Sequence, residues 1–217
     1  MKYLLLLIFI STLTSCYKER PEGITATSKN TTETKKATPD YGQTPFKDAN
    51  GNIVAVIEIP AGTNHKYEYN YDKKEFECEI IDGKERVVNY LPYPGNYGFI
   101  PGTLMDKERG GDGDALDVLV LGEAVPRGST IAIKPIATLK LLDKGEEDHK
   151  VIAVPVNNEL NILRVNSFVE LPESVKTIVM TWFSSYKGIG KMEFLHWEGD
   201  SATLEEVSKW VKIEPKN

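Results

Sequence analysis

The chain runs to 217 residues, 41% of them hydrophobic, with a formal net charge of −6. That is enough apolar material for one sizeable domain and a tail. The acidic balance excludes a nucleic-acid or anionic-membrane surface role unless charge is sharply segregated.

The first predicted element is a leader. Lys2 precedes the apolar run Tyr3-Leu4-Leu5-Leu6-Leu7-Ile8-Phe9-Ile10, and Ser11 to Ser15 follow. The pattern predicts a signal peptide over 1–15, too short for a stable membrane span. Leu13-Thr14-Ser15-Cys16 resembles the bacterial lipobox. That resemblance implies a diacylglyceryl group on Cys16 and an exported lipoprotein, anchored to a bacterial membrane on its periplasmic or cell-surface face. Cys78 is then the one remaining thiol, so no disulfide framework is available. From Tyr17 to about Pro45 the chain is rich in Lys, Glu, Thr, Ser, Pro and Asn, with almost no large apolar residues. Such a stretch buries too little surface to offset its ordering entropy. Residues 16–45 are therefore expected to form a flexible tether, and 46–217 the folded domain.

In the folded part, Ile53-Val54-Ala55-Val56-Ile57-Glu58-Ile59 reads as a strand ended by Pro60. Segments 66–70 and 75–81 alternate polar and apolar residues around Tyr71-Asp72-Lys73-Lys74, a hairpin turn. Further strands are expected at 117–121, 130–142 and 150–156. A run of short, mostly antiparallel strands predicts a closed barrel rather than alternating βαβ units. Two helices come late. Val175, Ile178, Val179, Trp182, Phe183 and Tyr186 share one helical face, stopped by Gly188. Leu204, Val207 and Val211 mark a second, amphipathic helix. The fold class is α+β.

Asp112-Gly113-Asp114-Ala115-Leu116-Asp117 places three carboxylates in six residues, at the mouth of the apolar strand Val118-Leu119-Val120-Leu121. Such a trio repels itself unless cations share it, and oxygen-only ligands suit hard ions such as Mg²⁺. An EF-hand is excluded, because Asp117 holds the position that needs glycine and Leu116 holds a ligand position. A second acidic segment, Asp143-Lys144-Gly145-Glu146-Glu147-Asp148-His149-Lys150, lies between two strands and by itself reads as an exposed hairpin tip. Tyr93-Pro94-Gly95-Asn96-Tyr97-Gly98 reads as an aromatic loop, and Tyr186-Lys187 closes the first helix.

Taken in order, Glu58, Lys66-Tyr67-Glu68, the Tyr93–Gly98 loop, the Asp112–Asp117 motif, the 143–150 loop and Tyr186-Lys187 resemble the soluble family I inorganic pyrophosphatases. The resemblance runs from about Ile53 to Gly199. It implies an OB-like closed five-stranded barrel with flanking hairpin strands and two helices in the C-terminal half. It also implies Mg²⁺-dependent hydrolysis of pyrophosphate to two phosphates, and homo-oligomers, commonly hexamers in bacteria. By the same resemblance Asp112, Asp117 and Asp148 hold a first metal, with Asp117 bridging to a second. Asp143 and Asp148 take the metal that arrives with substrate, while Glu58 and Glu68 face metal-bound waters. Asp114 accepts the proton of the attacking water. Lys66, Lys150, Tyr97, Tyr186, Lys187 and Arg86 bind phosphate, and Tyr93 supports the wall. This donor set suits a small, highly charged anion, which needs divalent ions together with Lys, Arg and Tyr donors.

The chain departs from the family pattern in three places. Ala115 stands where Pro or Glu is usual, Lys144 replaces an acid beside Asp143, and Arg86 aligns with the phosphate-binding Arg only across a single-residue gap. Rival readings are a degenerate fold that captures metal–phosphate without turnover and an OB-fold oligonucleotide binder. The first has no use for Asp114 beside a water; the second needs a basic, aromatic groove where these loops are acidic. No Walker A, His-Glu-x-x-His or Gly-x-Ser-x-Gly pattern occurs.

Overall fold

The computed structural model describes residues 38–212. The expected signal peptide, Cys16 and most of the expected tether lie outside the described residues. The order of elements is β1 (Ile53–Ile59), β2 (Tyr67–Asn70), β3 (Glu75–Cys78), β4 (Ile80–Ile81), β5 (Lys84–Glu85), β6 (Asn96–Phe99), β7 (Asp117–Val120), β8 (Thr130–Asp143), β9 (Glu146–Glu147), β10 (Lys150–Pro155), α1 (Glu173–Ser185), β11 (Met192–Glu198) and α2 (Asp200–Trp210).

Five strands close into a ring in the order β1-β6-β7-β10-β8, with β8 pairing back onto β1. The ring is consistent with an OB-like barrel. All its pairings are antiparallel except β7 with β10. The long β8 serves four partners: its first residues pair β1, its middle pairs β10 and its end pairs both β11 and β9. It bends at a register shift where Ile152 faces Ala137 but Ala153 faces Pro135. Proline cannot donate to a ladder, so a bulge is where a long strand tolerates one. Hairpins β2–β3 and β4–β5 flank the ring.

Alternation along the strands gives the sheet two buried faces. Leu119, Leu121, Ile152, Val154, Leu139 and Leu141 pack with Val179, Trp182 and Phe183 of α1. Val118, Val120, Val151 and Ala153 pack with Val207 and Trp210 of α2. Opposite ends of these alternating residues therefore meet different helices.

Several sequence expectations change. The aromatic loop at 93–98 is half strand, because Asn96–Phe99 is a fully buried member of the ring. Its glycine is required by a close approach: a Cβ on Gly98 would lie 1.9 Å from the Val56 carbonyl oxygen. A residue chosen for that contact reads as a loop signal in sequence. The strand β11 was not anticipated, and Val211 follows α2 rather than lying within it, bridging to Thr103. The folded part also starts before residue 46. Tyr41 is 2% exposed, donates its hydroxyl to the Gly128 carbonyl at 2.5 Å and packs edge-on against Tyr69. One aromatic in a polar stretch is too weak a pattern to mark an anchor.

Candidate active site

Asp117 opens β7, and Lys150 opens β10, directly opposite it in the parallel register. Both side chains lie on the sheet face that α1 covers, as the period of two places Leu119 and Ile152 there. The Lys150 ammonium bridges the carboxylates of Asp117 and Asp148. From β6 the Tyr97 hydroxyl donates to Asp117 Oδ2 at 2.5 Å. Lys187, just past the end of α1, donates to Asp143 Oδ2 at 2.8 Å and to Asp148 Oδ2 at 3.4 Å. Elements far apart in sequence thus converge on one cluster.

The two acidic segments are shaped locally. Asp112 Oδ1 accepts the Asp114 N–H at 2.9 Å, and Met105 holds the strand of this loop at both Gly113 and Asp114. Asp143 and Glu146 pair across the tip of the β8–β9 hairpin, where Lys144 and Gly145 both have positive φ. That is the two-residue turn that suits a right-twisted hairpin. The exposed-tip reading of 143–150 holds only for Lys144, Gly145 and Glu146. Asp148, His149 and Lys150 are buried, with Lys150 already in β10, and the segment delivers Asp143 and Asp148 to the cluster.

Asp112, Asp114, Asp117, Asp143, Asp148, Lys66, Glu68, Arg86, Tyr97, Lys150, Tyr186 and Lys187 all line a cavity of about 290 Å³. A neighbouring cavity of about 190 Å³ continues it past Glu68 to Glu58, Tyr69, Tyr71 and Phe99. The sequence-predicted set is therefore gathered in one place. Tyr93 lies behind the wall, buried, its ring 5.0 Å from that of Tyr97.

The cluster carries more negative charge than its lysines neutralise. Burial pushes Asp112 up to about 6, with the Asp117 charge adding, against the hydrogen bond from Asp114. Asp114 is raised by burial and then by Asp117. Burial pushes Glu58 up to about 8 despite Lys66 nearby, and the Tyr69 N–H donates to its Oε1 at 2.7 Å. Asp148 goes the other way: burial opposes ionisation, but Lys150 and Lys187 overcome it. Oxygen donors at this density, still raised after two lysines are in place, fit a hard divalent cation.

Lys66 and Arg86 are fixed by one knot of backbone. The Lys66 N–H donates to the Arg86 carbonyl, the Glu79 N–H to the Lys66 carbonyl and the Arg86 N–H to the Glu79 carbonyl, at 2.9, 2.8 and 2.7 Å. The Arg86 guanidinium also bonds Glu79 Oε2 at 2.5 Å.

This architecture has known counterparts. The family model for inorganic pyrophosphatase matches residues 55–214. The chain is 38% identical over 171 residues to an inorganic pyrophosphatase of Saccharolobus solfataricus, covering 78% of this chain and 84% of that one. A second relative, an inorganic pyrophosphatase of Synechocystis, is 34% identical over 177 residues, covering 80% and 98%. Among solved structures, the inorganic pyrophosphatase from Thermus thermophilus superposes with a TM-score of 0.68 at 30% identity, covering 80% of this chain and 97% of that one. The chain belongs to the inorganic pyrophosphatase family.

For an inorganic pyrophosphatase, three supporting residues escaped the sequence reading. Trp182 stacks on Tyr186 with centroids 4.7 Å apart and planes 13° apart, and its Nε1 donates to the Leu91 carbonyl at 2.9 Å. Its helical spacing signalled core, which it also is. Arg127 donates from Nε to the Glu58 carbonyl at 2.8 Å and lies over the Tyr67 ring. Tyr71, read as a turn residue, lines the recess beside Glu58. Only the folded geometry brings these three to the site.

Another group of ligand-type side chains meets nearby: Glu147, His149 and Glu206. Lys140 bonds Glu206 at 2.6 Å and approaches His149 Nδ1 at 3.2 Å, while Lys209 pairs with Glu147 at 3.1 Å. Two ammonium groups already neutralise these acids, so the group is an ion-pair cluster rather than a metal centre.

Proposed function

We propose that this domain, an inorganic diphosphatase by family, hydrolyses pyrophosphate to two phosphates with Mg²⁺ and a water as the nucleophile. The observation that carries this is the meeting at Asp117 of a lysine, a tyrosine and a further set of carboxylates in one cavity. Asp112, Asp117, Asp143 and Asp148 would hold the divalent cations, with Glu58 and Glu68 at the edge of the set. Bound cations of this kind neutralise phosphoryl oxygens and acidify water.

The remaining steps belong to the chain's own residues. Lys66, Arg86, Lys150, Lys187 and Tyr186 donate to phosphoryl oxygens and hold the anhydride in line. Tyr97, expected from the sequence to bind phosphate, instead spends its single hydroxyl proton on Asp117 Oδ2 and orients that carboxylate. Asp114 accepts the proton of the attacking water; its raised affinity for a proton suits a general base better than an ordinary surface carboxylate does. Glu79 keeps the Arg86 fork oriented before substrate arrives.

The lipobox at 13–16 supports export and a lipid anchor on Cys16, and family resemblance supports a homo-oligomer. Phosphate release from pyrophosphate by the purified protein, with Mg²⁺ and with the cation chelated, tests the central reading. Calorimetric binding of Mg²⁺–pyrophosphate without phosphate release would make the protein a binding lipoprotein instead.

A further inference from the structure

The two acidic loops are tied together from behind by the end of α2. His149 stands between Asp148 and Lys150, and alternation turns it away from them, toward α2. There Glu206 accepts from His149 Nδ1 at 2.8 Å, from Lys140 Nζ at 2.6 Å and from Trp210 Nε1 at 2.6 Å. His149, Lys140, Glu206 and Trp210 are all buried. One turn of helix therefore grips β8 and the start of β10 at once.

The same turn reaches the other loop. The Leu104 N–H donates to the Trp210 carbonyl at 2.8 Å, and Arg109 donates to the Lys209 carbonyl at 2.9 Å. Arg109 also lies over the Trp210 ring, 4.8 Å from its centroid. Lys209 pairs with Glu147 at 3.1 Å, and the Glu147 N–H donates to the Gly110 carbonyl at 3.0 Å. Asp112 and Asp114 follow Gly110 closely, and Asp148 follows Glu147. The spacing of the carboxylates is thus held from behind by contacts that never touch the cavity, in addition to Lys150 and Lys187 within it.

We propose that Glu206 is a positioning residue for the divalent-cation site, acting through His149 to fix Asp148 against Asp112 and Asp117, with Lys209 as its partner on Glu147. A buried carboxylate with three donors is a rigid anchor, because each alternative arrangement leaves a polar group unpaired. Residues that orient metal ligands commonly change metal affinity by about 10–100-fold when removed. The inference rests on the reading of those aspartates as cation ligands.

The test is calorimetric Mg²⁺ titration of the whole protein without substrate, together with Tm, for the wild type, Glu206→Gln, Lys209→Met and Thr203→Val. Thr203 bonds Thr138 at 3.0 Å, so it joins α2 to β8 without touching either loop. Glu206→Gln is expected to weaken Mg²⁺ binding at least about tenfold, and Lys209→Met about threefold, whereas Thr203→Val lowers Tm at unchanged affinity. Amide exchange at Glu147 and Asp148 in the metal-free protein should speed up in the first two variants alone. Wild-type Mg²⁺ affinity and exchange in Glu206→Gln, with only Tm reduced, would overturn the proposal. Should Glu206→Gln not fold, unchanged affinity in Lys209→Met overturns it equally. A wild-type protein that takes up no Mg²⁺ would bring down the reading of the aspartates, and the proposal with it.

Discussion

The Tyr97 hydroxyl donates to Asp117 Oδ2 at 2.5 Å from the neighbouring antiparallel strand, so a phenol and an ammonium share one carboxylate. Burial raises the Tyr97 hydroxyl well above its ordinary value, with the Asp117 charge next in effect, so it stays a donor through the physiological range. It orients the Asp117 carboxylate and closes one wall of the cavity. Tyr97→Phe keeps the ring packing against Tyr93 and Phe183 but removes the donor. Turnover should fall about 10–100-fold while the fold persists. Steady-state rates beside a thermal melt check this; unchanged turnover would mean that Lys150 alone orients Asp117.

Glu58 sets a pH dependence of stability. Its carboxyl titrates at about 8 in the fold against 4.5 ordinarily, because burial disfavours the charge. Between those values the folded chain keeps a proton that the unfolded chain has released. Raising the pH therefore favours unfolding, and the contribution is complete below 4.5 and gone above about 8. Glu58→Gln cannot titrate, yet it keeps an acceptor for the Tyr69 N–H. In chelator-treated protein the variant should be the more stable form at pH 8.5, by roughly 3–5 kcal/mol, and no more stable at pH 4. Urea unfolding at both pH values decides it. Parallel curves for the two proteins would show that Glu58 ionises freely in the fold.

Much of this site is legible in sequence because its residues come in local groups with a chemical signature. Asp112, Asp114 and Asp117 announce themselves by density, and the strand after them says where they are aimed. Glu58, Lys66 and Tyr186 carry no such signal alone; the order of the motifs identified them. Trp182 and Arg127 were invisible because their contacts join segments about 90 and 69 residues apart. Likewise β6 hid behind Pro94, Gly95 and Gly98, since a glycine chosen for close backbone approach looks like one chosen for a turn. The ring itself was readable from strand spacing, but the parallel β7–β10 pairing that sets Asp117 opposite Lys150 was not.

Arg86 offers a sharper test of the backbone knot. Its fork is already held by Glu79, so it is preorganised to present donors to a phosphoryl group. Arg86→Lys keeps the charge but loses the planar fork and part of the Glu79 bond. KM should rise about tenfold with a smaller change in kcat, because a half-buried planar fork is replaced by a shorter point charge. Kinetics at saturating Mg²⁺ separate the two parameters. A wild-type KM would assign the phosphate contact to another cation of the cavity.

Cys16 lies outside the described residues, and the lipid anchor proposed for it rests on the lipobox-like Leu13-Thr14-Ser15-Cys16 alone. Cys16→Ala should move the protein from the detergent phase to the aqueous phase while the domain keeps its specific activity, since the fold begins near Tyr41. Mass spectrometry of the mature N-terminus checks the wild type. An unmodified cysteine there would rule the anchor out.

Asp114 and Asp117 stand three residues apart and should behave differently. Asp117 is engaged by Lys150 and Tyr97, whereas Asp114 accepts no side-chain hydrogen bond among the described residues and holds its proton more tightly than an ordinary carboxylate. Asp114→Asn keeps size and polarity but removes the basic oxygen, so turnover should fall about 10²–10⁴-fold with Mg²⁺ affinity little changed. Asp117→Asn should weaken Mg²⁺ binding as well, and part of its loss should return at high Mg²⁺. The pH profiles must also differ. A general base has to be ionised, so activity in the wild type is lost as pH falls through the Asp114 pKa. That acidic limb should flatten in Asp114→Asn. In Asp117→Asn it should persist and move to lower pH, because the Asp117 charge that raises Asp114 is gone. Mg²⁺ titration and rate–pH profiles on both variants test the pair. Near wild-type turnover in Asp114→Asn would strip Asp114 of its catalytic role and leave the cluster as a site that binds metal and phosphate.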